Sequence, residues 1–96
     1  MSSAKEIVDS AVEDKKVVVF GAFYCPFCAR TKALLKKANI PFTFVDVAFS
    51  SAQKGYLARQ TGSSSFPWIF INQKSIGGLA ELQALQASGE LYNLIL

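Results

Sequence analysis

The sequence predicts an α/β fold, a mixed four-stranded β-sheet flanked by helices. Short apolar or β-branched runs alternate along the chain with segments of helical periodicity. The first two runs are separated by a helix, which makes the strands parallel with a right-handed crossover. The last two are joined by a tight turn and are therefore antiparallel.

Each element has a local cause. Ser3 and Glu6 form a capping-box pattern, and Ala4, Ile7, Val8, Ala11 and Val12 recur at helical spacing. Lys16 to Phe20 is a short β-branched run, as expected of a strand covered on both faces. Gly21 to Tyr24 reads as a loop. A helix begins near Cys25 and Pro26, because proline fits the first helical turn, and Asn39 ends it. After Pro41, Phe42 to Val47 is the second strand. Ser50 or Ser51 caps a third helix, which Gly62 ends. Trp68 to Ile71 is the third strand, Asn72-Gln73-Lys74 a turn, and Ser75-Ile76 a short fourth strand. Gly77-Gly78 leads into a helix from Leu79 to Ala87. Gly89 interrupts it before a helical tail with Leu91, Leu94 and Ile95.

A chain of 96 residues suits one domain spanning 1–96. Apolar content of 51% with moderate charge argues against disorder. No apolar run approaches the roughly 20 residues a membrane span needs. The first 14 residues contain Glu6, Asp9, Glu13 and Asp14 and lack the order of a secretory signal, so a cytoplasmic protein without membrane attachment is expected. Between Lys15 and Lys74 there are nine Lys or Arg residues and one acid, Asp46. A cationic middle favours a thiolate and anionic partners, although most individual lysines, such as Lys32, Lys36 and Lys37, read as a solvated helix face. Without a dense basic run or a reading motif, no nucleic-acid partner is expected. Asp46 reads as a strand-end or capping acid.

The chemistry resides in Cys25-Pro26-Phe27-Cys28. Positions i and i+3 on a helix are about 5–6 Å apart, within reach of a disulfide. Cys25 sits at the helix N-terminus, where unpaired N–H groups and the dipole favour an anion, so it is the expected nucleophile. Cys28 lies one turn inward and is the expected resolving thiol, attacking a mixed disulfide to release reduced substrate. Pro26 pre-sets the turn, and Tyr24 and Phe27 are expected to flank the sulfur and limit solvent. A structural zinc site normally takes four ligands, whereas the chain has two cysteines and no histidine, so no metal is assigned. Two inert buried cysteines are the other bland alternative. Both leave unexplained why strand, loop, CxxC and helix coincide.

Three segments together resemble the dithiol glutaredoxins of the thioredoxin-fold superfamily, over nearly the whole chain. They are Val17 to Cys28, then Thr61-Gly62 followed by Phe66 to Ile71, and Ile76 to Leu82. The resemblance implies that Pro67 is cis and lies beside the active sulfur, and that Phe66 offers its backbone N–H and C=O to an extended substrate. A cis bond is affordable there because the residue is proline. It also implies that the N–H groups of Gly78, Leu79 and Ala80 hold the γ-glutamyl carboxylate of glutathione, as a helix start can. Pro67 as a simple strand-start proline, and Gly77-Gly78 as a simple turn, are the plainer readings.

The chain departs from the family at several positions. Ala22 stands where many glutaredoxins carry a lysine, and Arg30, Lys54, Arg59 or Lys74 are candidate substitutes. Ser63-Ser64-Ser65-Phe66 replaces a more polar or basic run. Ala80 replaces an acid, and Glu81 is expected to face elsewhere. Glutathione binding would then rest on backbone groups, and each lost charge-assisted contact is worth about 1.5–3 kcal/mol. The implied function is reduction of protein disulfides and glutathione mixed disulfides by a monomer, with glutathione or a related thiol as reducing cosubstrate and no required metal. Two alternatives stand beside it. One is a thioredoxin-like donor recharged by a flavin reductase. The other is a [2Fe–2S] carrier, which a stiff Pro26 disfavours.

Overall fold

A computed structural model describes residues 3–96. Nine elements follow in order: α1 (Ala4–Asp14), β1 (Val17–Gly21), α2 (Pro26–Lys37), β2 (Thr43–Asp46), α3 (Ser51–Thr61), β3 (Trp68–Ile71), β4 (Lys74–Gly77), α4 (Leu79–Ser88) and α5 (Glu90–Ile95). The sheet order is β2-β1-β3-β4. β1 and β2 are parallel, with Val18 opposite Thr43. β3 lies antiparallel to β1, with Phe20 opposite Trp68, and β4 is antiparallel to β3. This is the mixed four-stranded thioredoxin fold read from the sequence.

The helix ends obey local chemistry. Ser3 Oγ accepts from the Glu6 N–H at 3.1 Å, and Ser50 Oγ accepts from the Gln53 N–H at 3.1 Å. Of the two candidate serines, Ser50 is thus the cap of α3. Gly62 and Gly89 take left-handed φ values of +79° and +83° at the C-caps. Asn39, just beyond α2, has φ +60°. The β3–β4 turn is shorter than expected. Asn72 (φ +48°) and Gln73 (φ +71°) make a two-residue turn, so Lys74 belongs to β4. Two consecutive left-handed residues match the twist of the paired strands.

Strand alternation places the core on both faces of β1. Val17 and Val19 join Leu35, Ile69, Leu82 and Leu91 under α2, α4 and α5. Val18 and Phe20 join Val8, Tyr56, Leu57 and Trp68 under α1 and α3. Tyr56 also ties the second layer together by donating to Asp9 at 2.7 Å, while Lys5 pairs with Asp9 at 2.8 Å. Every residue of β1 is buried, which explains its continuous apolar run. Among the described residues no helix is long and apolar enough to cross a membrane. The topology leaves one sheet end, where β1 stops and β3 starts, to carry the loop into α2.

Candidate active site

Cys25 is the N-cap of α2, with extended φ and ψ of −87° and 120°, and Pro26 follows in the first turn. Its carbonyl accepts the first helical bond, from Ala29 N–H at 3.0 Å, and its own N–H donates to Ala22 O at 3.2 Å. Cys25 is half-buried and Cys28 fully buried, both as free thiols. Burial pushes the Cys28 thiol up to about 11 from the ordinary 9.0, and neighbouring Cys25 adds to this. A backbone hydrogen bond from Ala22 and the charge of Lys32 act in the opposite direction. Lys32 is thus more than a solvated helix charge, and its Nζ lies 4.2 Å from the centre of the Phe44 ring.

Gly21 is the last residue of β1 rather than part of the loop, and the Cys28 sulfur packs directly over its backbone. A Cβ at this position would overlap that sulfur and approach the Phe44 ring to 3.3 Å. The loop after Gly21 is fastened by β2. Asp46 Oδ2 accepts from Phe23 N–H at 3.1 Å, and Oδ1 from Ala48 N–H at 2.8 Å. Val47 N–H donates to Gly21 O at 2.8 Å. Asp46 is therefore the strand-end acid expected, with a second duty of holding two loops. Tyr24 and Phe27, expected to flank the sulfur, are 57% and 53% exposed.

Phe66-Pro67 is a cis peptide. Pro67 is buried and Phe66 half-buried, and the β1–β3 register carries Pro67 toward Gly21 at the same sheet end as the cysteines. Trp68 Nε1 donates to Ser63 O at 2.8 Å, which ties the serine loop to β3. Pro67 O would lie 3.4 Å from a Cβ on Gly78, so β3 and the start of α4 adjoin. Gly77 has φ +103°, a backbone region that favours glycine. Leu79 is buried and Ala80 exposed.

Glu81 does not face elsewhere. Its Oε1 accepts from Gly78 N–H at 2.7 Å, as an N3 acid commonly does. One of the three N–H groups expected to receive a ligand carboxylate is thus already engaged, and Leu79 and Ala80 keep theirs for the first turn. Of the candidate cations, Arg30 lies 5.9 Å from the Phe27 ring centre, and Lys54 donates to Ala48 O at 2.9 Å. Ala22 is buried. Among the described residues no cluster of three or more metal-ligating side chains occurs. Sequence reasoning missed Gly21, Lys32 and the two hydrogen bonds that the Asp46 carboxylate accepts. Glycine ending a buried strand beside CxxC was the available signal for the first.

The glutaredoxin family model matches residues 17–76. Glutaredoxin-1 of Oryctolagus cuniculus is 36% identical over 96 residues, covering 92% of this chain and 89% of that protein. Glutaredoxin-C6 of Oryza sativa subsp. japonica is 37% identical over 98 residues, covering 99% and 84%. Among solved structures, a buckwheat glutaredoxin–glutathione complex superposes with TM-score 0.91 at 26% identity, covering 96% of this chain and 86% of that one. A dithiolic glutaredoxin of Trypanosoma brucei brucei superposes with TM-score 0.85 at 32% identity, covering 100% and 98%.

Two outcomes follow from the geometry. Gly21→Ala should displace Cys28 and destabilise the protein by about 1–3 kcal/mol in urea unfolding, the usual cost of overpacking. In Cys25→Ser, thiolate absorbance against pH should place the Cys28 titration still above 9.0, since burial, the main cause, remains. The folded thiol holds its proton more tightly than the unfolded one. Its stabilising contribution is therefore full below pH 9.0 and lost as pH rises through about 11. A titration at or below 9.0 would contradict the burial argument.

Proposed function

The chain belongs to the glutaredoxin family, and we propose that its reductant is glutathione and its substrates are protein disulfides and glutathione mixed disulfides. It is a thiol–disulfide oxidoreductase. The observation that carries the proposal is the unequal pair of thiols: Cys25 open at a helix N-terminus, Cys28 sealed one turn behind it.

In the proposed cycle the Cys25 thiolate attacks a substrate sulfur. The substrate S–S bond breaks, a Cys25–substrate disulfide forms, and the other sulfur leaves as a thiolate that takes a proton. For a protein disulfide, Cys28 gives up its proton and attacks Cys25. The second substrate thiol leaves, and the Cys25–Cys28 disulfide carries the oxidation. Two glutathione thiols then restore the dithiol, leaving glutathione disulfide. A glutathione mixed disulfide needs only Cys25, because a second glutathione can attack the Cys25–glutathione bond. No step calls for a metal. Cys28's high pKa keeps it protonated while Cys25 makes the first attack.

Glutathione is supported by the buckwheat relative, which was solved with it. In this chain the Phe66 backbone beside Pro67 and the N–H groups of Leu79 and Ala80 would hold it, with Gly78 N–H contributing only if the Glu81 carboxylate moves. The redox pair lies within one chain, so a monomer suffices. The buried Ala22 and the engaged Gly78 favour a second reading, recharge by a flavin reductase in the manner of thioredoxin.

The test is an assay on a small glutathione mixed disulfide, coupled either to glutathione with glutathione reductase or to thioredoxin reductase. Turnover is expected in the glutathione arm alone. Cys28→Ser should retain it and lose reduction of protein disulfides, whereas Cys25→Ser should lose both. Turnover only in the thioredoxin-reductase arm would replace the proposal with the second reading.

A further inference from the structure

We propose that the exposed aromatic surface beside Cys25, formed by Phe23, Tyr24, Phe27 and Phe49, docks protein disulfides that carry an apolar side chain next to the cysteine and acidic residues beyond it. This rests on the dithiol reading above and names the substrate class of the same site. Phe49 is 88% exposed and Phe23 67%, and Tyr24 and Phe27 are each more than half exposed. The Phe23 ring centre lies 5.3 Å from Tyr24 and 6.3 Å from Phe49, so these three rings form a patch rather than scattered single exposures, and Phe27 follows two residues after Cys25 in the first turn of α2. The patch is continuous with the loop and helix turn that present Cys25.

Phe49 is held outward by an ordered turn. Val47 N–H binds Gly21 O at 2.8 Å, Ser50 N–H binds Val47 O at 3.1 Å, and Lys54 Nζ binds Ala48 O at 2.9 Å. The Asp46 carboxylate takes the N–H groups of both Phe23 and Ala48, and so brackets the two loops whose rings meet. An aromatic side chain on a fixed backbone has only two torsions left to order when a partner covers it. The chemistry of the partner follows from the rim. Arg30 lies at the Phe27 ring and Lys54 at the Phe49 turn and 6.0 Å from the Phe66 ring centre. The acid nearby, Asp46, has both oxygens turned to backbone N–H groups. With Arg30 and Lys54 against the one Asp46 carboxylate, the rim is net positive and complements acidic residues flanking an apolar contact.

The test is a single-turnover reaction of pre-reduced protein, which needs no reductant and so is independent of whether glutathione serves. The probes are nitrothiobenzoate mixed disulfides of two peptides, one with Leu beside the cysteine and Glu beyond, the other with Ser and Lys, and that of 2-mercaptoethanol. Attack by Cys25 forms the Cys25–probe disulfide and releases the coloured thiolate. The wild type should react about tenfold faster with the Leu–Glu peptide, the worth of one aromatic contact. Phe49→Ser, at a position outside the core, should erase most of that preference while changing the 2-mercaptoethanol rate less than twofold. Equal rates on both peptides, or an unchanged preference in Phe49→Ser, would overturn the docking surface alone. No reaction with any probe would overturn the dithiol reading and the docking surface with it. Co-sedimentation with phosphatidylglycerol vesicles that is lost in Phe49→Ser, without a peptide preference, would assign the surface to a membrane and overturn the proposal.

Discussion

The sulfur of Cys28 lies against the backbone of Gly21, and the rest of the site is arranged around that contact. The strand must end in a residue without a side chain for the helix to approach closely enough to bury Cys28. Once Cys28 is buried, helical spacing places Cys25 one turn earlier on the same face, at the N-cap, where the helix end leaves it only half-buried. Two thiols of the same chemistry thereby acquire different properties. One is accessible for attack, and the other is shielded and held protonated by its surroundings.

Backbone groups do most of the positioning. Gly21 O and the Asp46 carboxylate receive N–H groups from the loops around them, and the β1–β3 register brings the Phe66–Pro67 segment to the same sheet end. The start of α4 adjoins Pro67 and offers N–H groups in its first turn. Such a site depends little on side chains at Ala22, the serine run and Ala80, the positions where the sequence departs from the pattern it resembles. Glu81 adds a constraint of its own, since its carboxylate already sits where a ligand carboxylate would approach Gly78.

Much of this was legible in the sequence because it depends on short-range chemistry. The continuous run Val17 to Phe20 marked a strand covered on both faces. Ser3, Ser50 or Ser51, Gly62 and Gly89 marked helix ends, and Cys25-Pro26 marked the start of α2. What was not legible depends on contacts between distant segments. The placement of β3 beside β1 is set by packing across the sheet. The bracket made by Asp46 requires knowing that Phe23 and Ala48 lie on either side of it. Lys32 read as a surface charge because its spacing is that of an exposed helix face, yet its Nζ lies over the Phe44 ring. Glu81 was misjudged because its return to Gly78 depends on the conformation of the helix start rather than on residue type.

The central claim is the division of labour between an open and a sealed thiol, and limited alkylation tests it most directly. The reduced protein is treated briefly with iodoacetamide at neutral pH, and the label is located by peptide mass mapping. The account predicts label on Cys25 with Cys28 protected until the protein is unfolded. Labelling of Cys28 in the folded protein at a rate comparable to Cys25 would contradict it.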